Sequence, residues 1–243
     1  MKRKNNYWRE QFPLLQNYPD LVYLDTAATA QKPQITLQAL QEYYSFYNAN
    51  IHRSNYDLAD QATDLYEKAR VKVAKFMGAK SSEVVFTAGA TDSLNQLADS
   101  FRRSKIFQPG DQILVSVLEH HANFLVWQRL AQELGLELKI WKIDEKGELE
   151  DFQRVFNSQT KLLALTHCSN VTGYVPDLAK ILAYTRQHQI ISVIDGAQMI
   201  PHHPIDLASL DCDFYVFSAH KMYGPTGLGV LFARGDYLDH LEP

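Results

Sequence analysis

The chain has 243 residues, 46% of them hydrophobic and 21% charged, with a formal net charge of −4. That length supports a sizeable core in one or two domains, and the composition is ordinary for a globular protein. The negative balance argues against nucleic acid or an acidic membrane surface as the main partner, no apolar run approaches the ~18 residues of a membrane span, and two cysteines make no disulfide framework.

Residues 1–22 read as an N-terminal arm with a short helix. Met1-Lys2-Arg3-Lys4 is basic, but no apolar run follows it, so it does not read as a secretory signal; a reducing cytoplasm is the expected location. Leu21-Val22-Tyr23-Leu24 leads into a small-residue turn from Asp25 to Ala30 that includes Ala28, and Pro33 opens a helical pattern. Asn50 to Ser54 is a polar loop carrying His52 and Arg53. Asp57 stands where it can cap the next helix, Leu58, Ala62, Leu65, Ala69, Val73 and Phe76 keep helical spacing, and Gly78 can end it.

Glu83 to Thr87 reads as a strand, Ala88-Gly89-Ala90-Thr91 as a tight turn, and Asp92 to Phe101 as a helix. Strand, glycine turn and helix start together make an anion grip, because free backbone N–H groups and the positive helix end point at the same place. Thr91 adds a hydroxyl donor. Alone the pattern is weak, since many such turns bind nothing. Gln112 to Val117 is the next strand; it meets Glu119-His120-His121-Ala122-Asn123, and a helix runs on towards Leu134-Gly135. The two histidines are adjacent and no Cys or His lies at ligand spacing, so no metal site is expected.

Leu136 to Ile143 reads as a strand at or near a sheet edge, followed by a polar segment around Asp144-Gly147. Lys161 to Thr166 is a strand of the fully buried type, ending in His167-Cys168-Ser169-Asn170, with Cys168 a small packing residue. A helix runs from Pro176-Asp177 to about His188. Ile190 to Ile194 then delivers Asp195 to the end of an apolar strand, with Gln198 three residues on. A buried, unpaired carboxylate is costly, so Asp195 either caps a helix or meets a cation. His202-His203 reads as structural. A β-prone run from Phe214 to Phe217 breaks off in Ser218-Ala219-His220-Lys221, a Gly224-Pro225-Thr226-Gly227 turn follows, and Gly227 to Ala233 is one more strand. A lone lysine is usually solvated, but Lys221 sits just beyond a strand, where open α/β sheets place their chemistry.

Ser218-Ala219-His220-Lys221-x-Tyr223-Gly224-Pro225 resembles the cofactor-lysine motif of class V pyridoxal-phosphate (PLP) enzymes, and more narrowly that of cysteine desulfurases of the Csd/Suf type. The resemblance runs from about Tyr23 to Pro243. It implies that Lys221 carries PLP as a Schiff base and moves a substrate proton, and that Asp195 faces the ring nitrogen while Gln198 meets the ring's phenolic oxygen. It further implies that His120 stacks on the ring and relays protons, that Thr91, Ser218 and His220 hold the phosphate, and that Asn170 contacts cofactor or substrate carboxylate. Ala28 would belong to the substrate pocket floor, and His52 would lie near the substrate. The family usually shows Gly-Thr-Thr-Glu where this chain has Gly89-Ala90-Thr91-Asp92; one hydroxyl fewer implies a loss of ~1.5–3 kcal/mol in phosphate binding. L-cysteine or a related amino acid is the implied substrate, and a homodimer and a sulfur-acceptor protein are the implied partners.

Alternating strands and helices independently predict a mostly parallel three-layer α/β sheet. The resemblance makes residues 23–243 the large domain of a type I PLP-dependent transferase, incomplete at its C-terminus. In that family the nucleophilic cysteine and the arginine that clamps the substrate carboxylate lie further along the chain, and Cys168 and Cys212 do not match the cysteine's place. The expectation is a truncated relative that binds PLP with little or no desulfurase turnover. Two alternatives stay open: a PLP-dependent aminotransferase or lyase, which needs no protein thiol, and a non-catalytic fragment that binds a partner. A dinucleotide-binding protein is disfavoured, because no Gly-x-Gly-x-x-Gly follows the early strands.

Overall fold

The computed structural model describes residues 7–242. The expectations for the first six residues of the arm and for Pro243 lie outside the described residues. The elements, in order, begin with two short helices, α1 (Tyr7–Glu10) and α2 (Pro13–Asn17), then α3 (Gln34–Glu42) with a π-helical turn (Tyr43–Tyr47), and α4 (Asp57–Phe76). The α/β core follows as β1 (Val84–Thr87), α5 (Ala90–Ser104), β2 (Gln112–Ser116), α6 (His121–Leu134), β3 (Glu137–Trp141), α7 (Phe152–Val155), β4 (Thr160–Thr166), α8 (Leu178–Gln187) and β5 (Ile191–Asp195). The chain closes with α9 (Leu207–Leu210), β6 (Phe214–Ser218), β7 (Gly229–Ala233) and α10 (Gly235–Leu238).

Among the described residues these strands form one seven-stranded sheet in the order β1-β7-β6-β5-β4-β2-β3. The predicted mostly parallel α/β sheet is present, with β3 at an edge as read. Only β7 departs: it runs antiparallel to both β1 and β6. The middle strands are continuous apolar runs because helices cover both faces. Leu114, Leu163, Ile194 and Tyr215 face the layer that includes Leu178, Ile181 and Leu182 of α8. Their neighbours Ile113, Leu162, Val193 and Phe214 face the other layer, where Leu94 and Phe101 of α5 meet Trp127 and Leu130 of α6. Each such side chain, fully buried, contributes ~1.5–3 kcal/mol.

Three local readings are corrected. The buried stripe of α4 is Ala59, Ala62 and Ala74, whereas Leu58, Leu65 and Phe76 are 37%, 41% and 48% exposed. Small side chains let this helix approach the core closely, so its bulky apolar residues mark a different face. Asp57 does not cap α4; Tyr56 occupies the cap position and Asp57 is the first helical residue, where its charge meets the positive helix end. Gly78 does close the helix, at φ +66°, and a Cβ there would lie 2.5 Å from Asp206 Oδ1. Further on, α5 starts at Ala90 rather than Asp92, which puts Thr91 in its first turn. Among the described residues no helix is long and apolar enough to cross a membrane.

Candidate active site

A cleft of 510 Å³ opens beyond the carboxyl ends of β5 and β6, where Asp195 and Ser218 stand. Eight of the residues singled out in the sequence line it: Ala28, Thr91, His120, Asn170, Asp195, Ser218, His220 and Lys221. They come from six separate parts of the chain, gathered because parallel strands all end on the same side.

One end of the cleft is formed by the turn that opens α5. Gly89 precedes α5, and the Ala90 N–H donates to Ser218 Oγ at 2.8 Å. Ser93 Oγ and Thr87 Oγ1 lie 2.8 Å apart beneath this turn, and the Ala88 N–H donates to Asp92 Oδ2 at 2.8 Å. The turn rests directly on β7: a Cβ on Gly229 would fall 2.4 Å from Gly89 Cα. Only glycine allows the two backbones to approach so closely.

The lysine stands on a single 3₁₀ turn, Ala219–Lys221, that follows β6. Residues 29–32 clasp this turn. The Ala30 N–H donates to His220 O at 3.0 Å, Lys32 Nζ donates to the same carbonyl at 2.9 Å, and Thr29 Oγ1 lies 3.1 Å from His220 Nδ1. Burial, and next the Lys221 and Lys32 charges, hold the His220 imidazole below its ordinary range. It is therefore neutral near pH 7 and serves as a hydrogen-bonding group rather than a fixed cation.

Asp195 is 6% exposed and accepts the Ala197 N–H at 2.9 Å. Burial raises its carboxyl above the usual range, while the Ala197 N–H, the Lys221 charge and His120 oppose the rise. A carboxylate in that position is short of a cation. His120 caps α6, its Nδ1 accepting the Ala122 N–H at 3.2 Å, which assigns the ring proton to Nε2. Burial and then the Lys221 charge pull this imidazole below its ordinary value, so it is neutral near pH 7 and able to give or take a proton at Nε2.

Two predicted residues do not line the cleft. Gln198 Nε2 donates to Ala27 O at 2.8 Å, so it braces a wall residue from behind. His52, at φ +68°, is drawn to α4 instead: its Nε2 lies 2.8 Å from Glu67 Oε1 and its ring meets the Tyr66 ring edge-on. Cys168 is half-buried against the core, as its packing assignment requires, and Cys212 is fully buried. Burial raises both thiols, and neither lines the cleft. Among the described residues no group of three or more His, Cys, Asp or Glu side chains is placed to hold a metal ion.

Sequence reasoning passed over Glu119. Although the residue is only partly buried, its carboxyl is enclosed and is pushed up to about 8 by burial, against the hydrogen bonds it accepts. Those come from Ser116 Oγ (2.5 Å), the Thr166 N–H (2.8 Å) and Asn123 Nδ2 (2.6 Å). Burial thus favours the protonated form of Glu119, which places less negative charge beside Asp195. The spacing Ser116-x-x-Glu119-x-x-x-Asn123 across a strand-to-helix turn was the available signal.

These residues suit a planar, phosphorylated, cationic-ring aldehyde such as PLP. A buried carboxylate lacking a cation, a lysine amine and a glycine-backed helix start converge on one cleft.

Comparison with known proteins agrees. The Aminotransferase class-V family matches residues 22–243. A probable cysteine desulfurase of Vibrio cholerae is 45% identical over 241 residues, covering 97% of this chain and 59% of that protein. The crystal structure of the Escherichia coli cysteine desulfurase CsdA superposes with a TM-score of 0.88 at 40% identity, covering 98% of this chain and 59% of that one. An apo cysteine desulfurase from Thermococcus onnurineus NA1 gives 0.92 at 37% identity, covering 100% and 60%. The chain thus spans between 35% and 59% of the length of the curated relatives it matches. With the fold, the lysine turn and the family match in agreement, this chain belongs to the class V aminotransferase family.

Proposed function

We propose that residues 23–243 form a PLP-binding large domain of cysteine desulfurase type, with the cofactor held in the 510 Å³ cleft by the Lys221 amine. The observation that carries this reading is Asp195: a buried carboxylate with one backbone donor, in the same cleft as a lysine at the end of the neighbouring strand. Asp195 would pair with a protonated ring nitrogen and remain charged. Thr91, Ser218, His220 and the first turn of α5 would take the phosphate. Gln198 acts at one remove, by fixing Ala27. His120 would stack on the ring and move protons through Nε2, and Asn170 would meet a carboxylate. When bound, PLP supplies an electron-withdrawing ring that weakens bonds at the substrate's α-carbon.

L-cysteine or a related amino acid is the proposed substrate class, a homodimer and a sulfur-acceptor protein the proposed partners, and the cytoplasm the proposed location. Cysteine desulfuration needs a protein thiolate to take the sulfur. Cys168 and Cys212 have raised thiols outside the cleft, so these 243 residues by themselves are proposed to release negligible sulfur from cysteine. The same observation keeps a second reading in play, a PLP-dependent lyase or aminotransferase that needs no thiol.

The experiment is borohydride reduction of the PLP-supplemented protein, followed by peptide mass mapping. A pyridoxyl phosphate adduct on Lys221, absent from Lys221→Ala, is expected. An unmodified Lys221 overturns the assignment. Analysis of products from cysteine, as alanine, pyruvate or neither, then separates the desulfurase reading from the other.

A further inference from the structure

We infer that Glu119 is a positioning residue, which holds the β2–α6 turn so that His120 keeps one ring orientation and one tautomer at the cleft. The inference gives His120 a purpose only on the cofactor reading above, but its geometry stands independently of any cofactor.

Glu119 immediately precedes His120, and its carboxyl joins three separate elements. Oε1 accepts from Ser116, the last residue of β2, and from the backbone of Thr166, the last residue of β4. Oε2 accepts from Asn123, in the first turn of α6. Asn123 cannot turn its amide round, because its oxygen already accepts the Trp127 indole N–H at 2.9 Å. The Asn123 backbone N–H in turn donates to His120 O at 2.8 Å. The histidine is thus held from both sides: its carbonyl by Asn123, and its Nδ1 by Ala122.

The donors decide which side chain fits. The Thr166 N–H and the Asn123 amide both point hydrogens at the carboxyl, so both of its oxygens must accept. A glutamine would set its NH₂ against one donor in either orientation. A carboxyl satisfies both, because each of its two oxygens can accept. The charged group facing Glu119 is Asp195 on β5, paired in register with Thr166. It favours the protonated form. His120 itself faces Asp195 and Lys221, and His121 lies beside it.

The test reads His120 directly in the cofactor-free protein, by nitrogen-15 NMR of histidine-labelled chain, with the resonance assigned through His120→Gln. Wild type is expected to show the Nε2–H tautomer alone and a titration below the ordinary imidazole range. In Glu119→Ala, and in Glu119→Gln, the ring is expected to populate both tautomers and to titrate higher by roughly half a unit or more as its surroundings open. Where those variants do not fold, Ser116→Ala leaves the carboxyl in place, removes one donor, and is expected to move His120 the same way to a smaller extent. His120 shifts and titration unchanged in the folded variants overturn the inference. That result is separable from failure of the cofactor reading, which appears as an unmodified wild-type Lys221.

Discussion

The Ser218 hydroxyl oxygen accepts the Ala90 N–H at 2.8 Å, joining the last residue of β6 to the first turn of α5 across 128 positions of sequence. One helix-start N–H is thereby occupied, and the hydroxyl's own hydrogen is left to donate into the cleft. Ser218→Ala removes a donor to a phosphate, worth ~1.5–3 kcal/mol when the acceptor is charged. The dissociation constant for PLP is expected to rise roughly tenfold to a hundredfold, as read by fluorescence titration. An unchanged constant places the phosphate elsewhere.

Asp195→Asn keeps an oxygen for the Ala197 N–H and removes the buried charge. Without PLP the variant is expected to melt no lower than wild type, because a carboxyl whose pKa is raised by burial is not a stabilising anion. With PLP the order reverses: binding weakens by about tenfold or more, the loss of one charge-assisted contact. Differential scanning calorimetry with and without cofactor checks both halves.

Stability against pH turns on two buried groups. Glu119 is pushed up to about 8, so the folded state holds its proton more tightly than the unfolded chain does. Its contribution is complete below the ordinary carboxyl range and is lost as pH rises towards 8. His167 is pushed down to about 4 by burial, and its contribution therefore grows as pH rises from 4 to the ordinary imidazole value of about 6.5. Below that value the two oppose each other; above it the His167 contribution is complete, while Glu119 and the likewise raised Asp195 lose theirs. Unfolding free energy is expected to fall between about pH 6.5 and 8 by roughly 2 kcal/mol, at one proton. Glu119→Ala flattens that limb in chemical denaturation, and a wild-type limb that is already flat refutes the assignment.

Gly229→Ala places a Cβ 2.4 Å from Gly89 Cα, where only backbone could yield. The β7 strand and the Gly89 turn cannot both keep their places. A loss of about 1–3 kcal/mol is expected, as for other overpacked sites, together with weaker phosphate binding. Denaturation midpoints and phosphate titration read the two effects, and a variant unchanged in both shows that the contact is not enforced.

The strands and the ends that carry Asp195 and Lys221 were legible because a strand buried on both faces must be a continuous apolar run, and its end must turn polar. The turn between β1 and α5 was legible from Gly89 and the helix that follows. Strand direction was not: nothing in Gly229-Val230-Leu231-Phe232-Ala233 says that it runs against its neighbours. Which residues of the α4 stripe lie deepest was not legible: Ala62 is fully enclosed, whereas Leu58 and Leu65 stay partly exposed. The partners that Gln198 and His52 meet, Ala27 O and Glu67, were not legible, because spacing along a chain does not show which group a side chain reaches first. Glu119 escaped notice because its donors come from three elements, and only the fold brings them together.

No residue of α3 or of the π-helical turn after it is buried, and Ile35, Tyr44 and Phe46 are 73%, 70% and 67% exposed. A helix that short is marginal in water unless something braces it. Opening this segment exposes less apolar surface than opening the sheet does, so it unfolds locally at lower free energy. Deuterium will replace the amide hydrogens from Gln34 to Tyr47 well before it reaches those of β4 and β5.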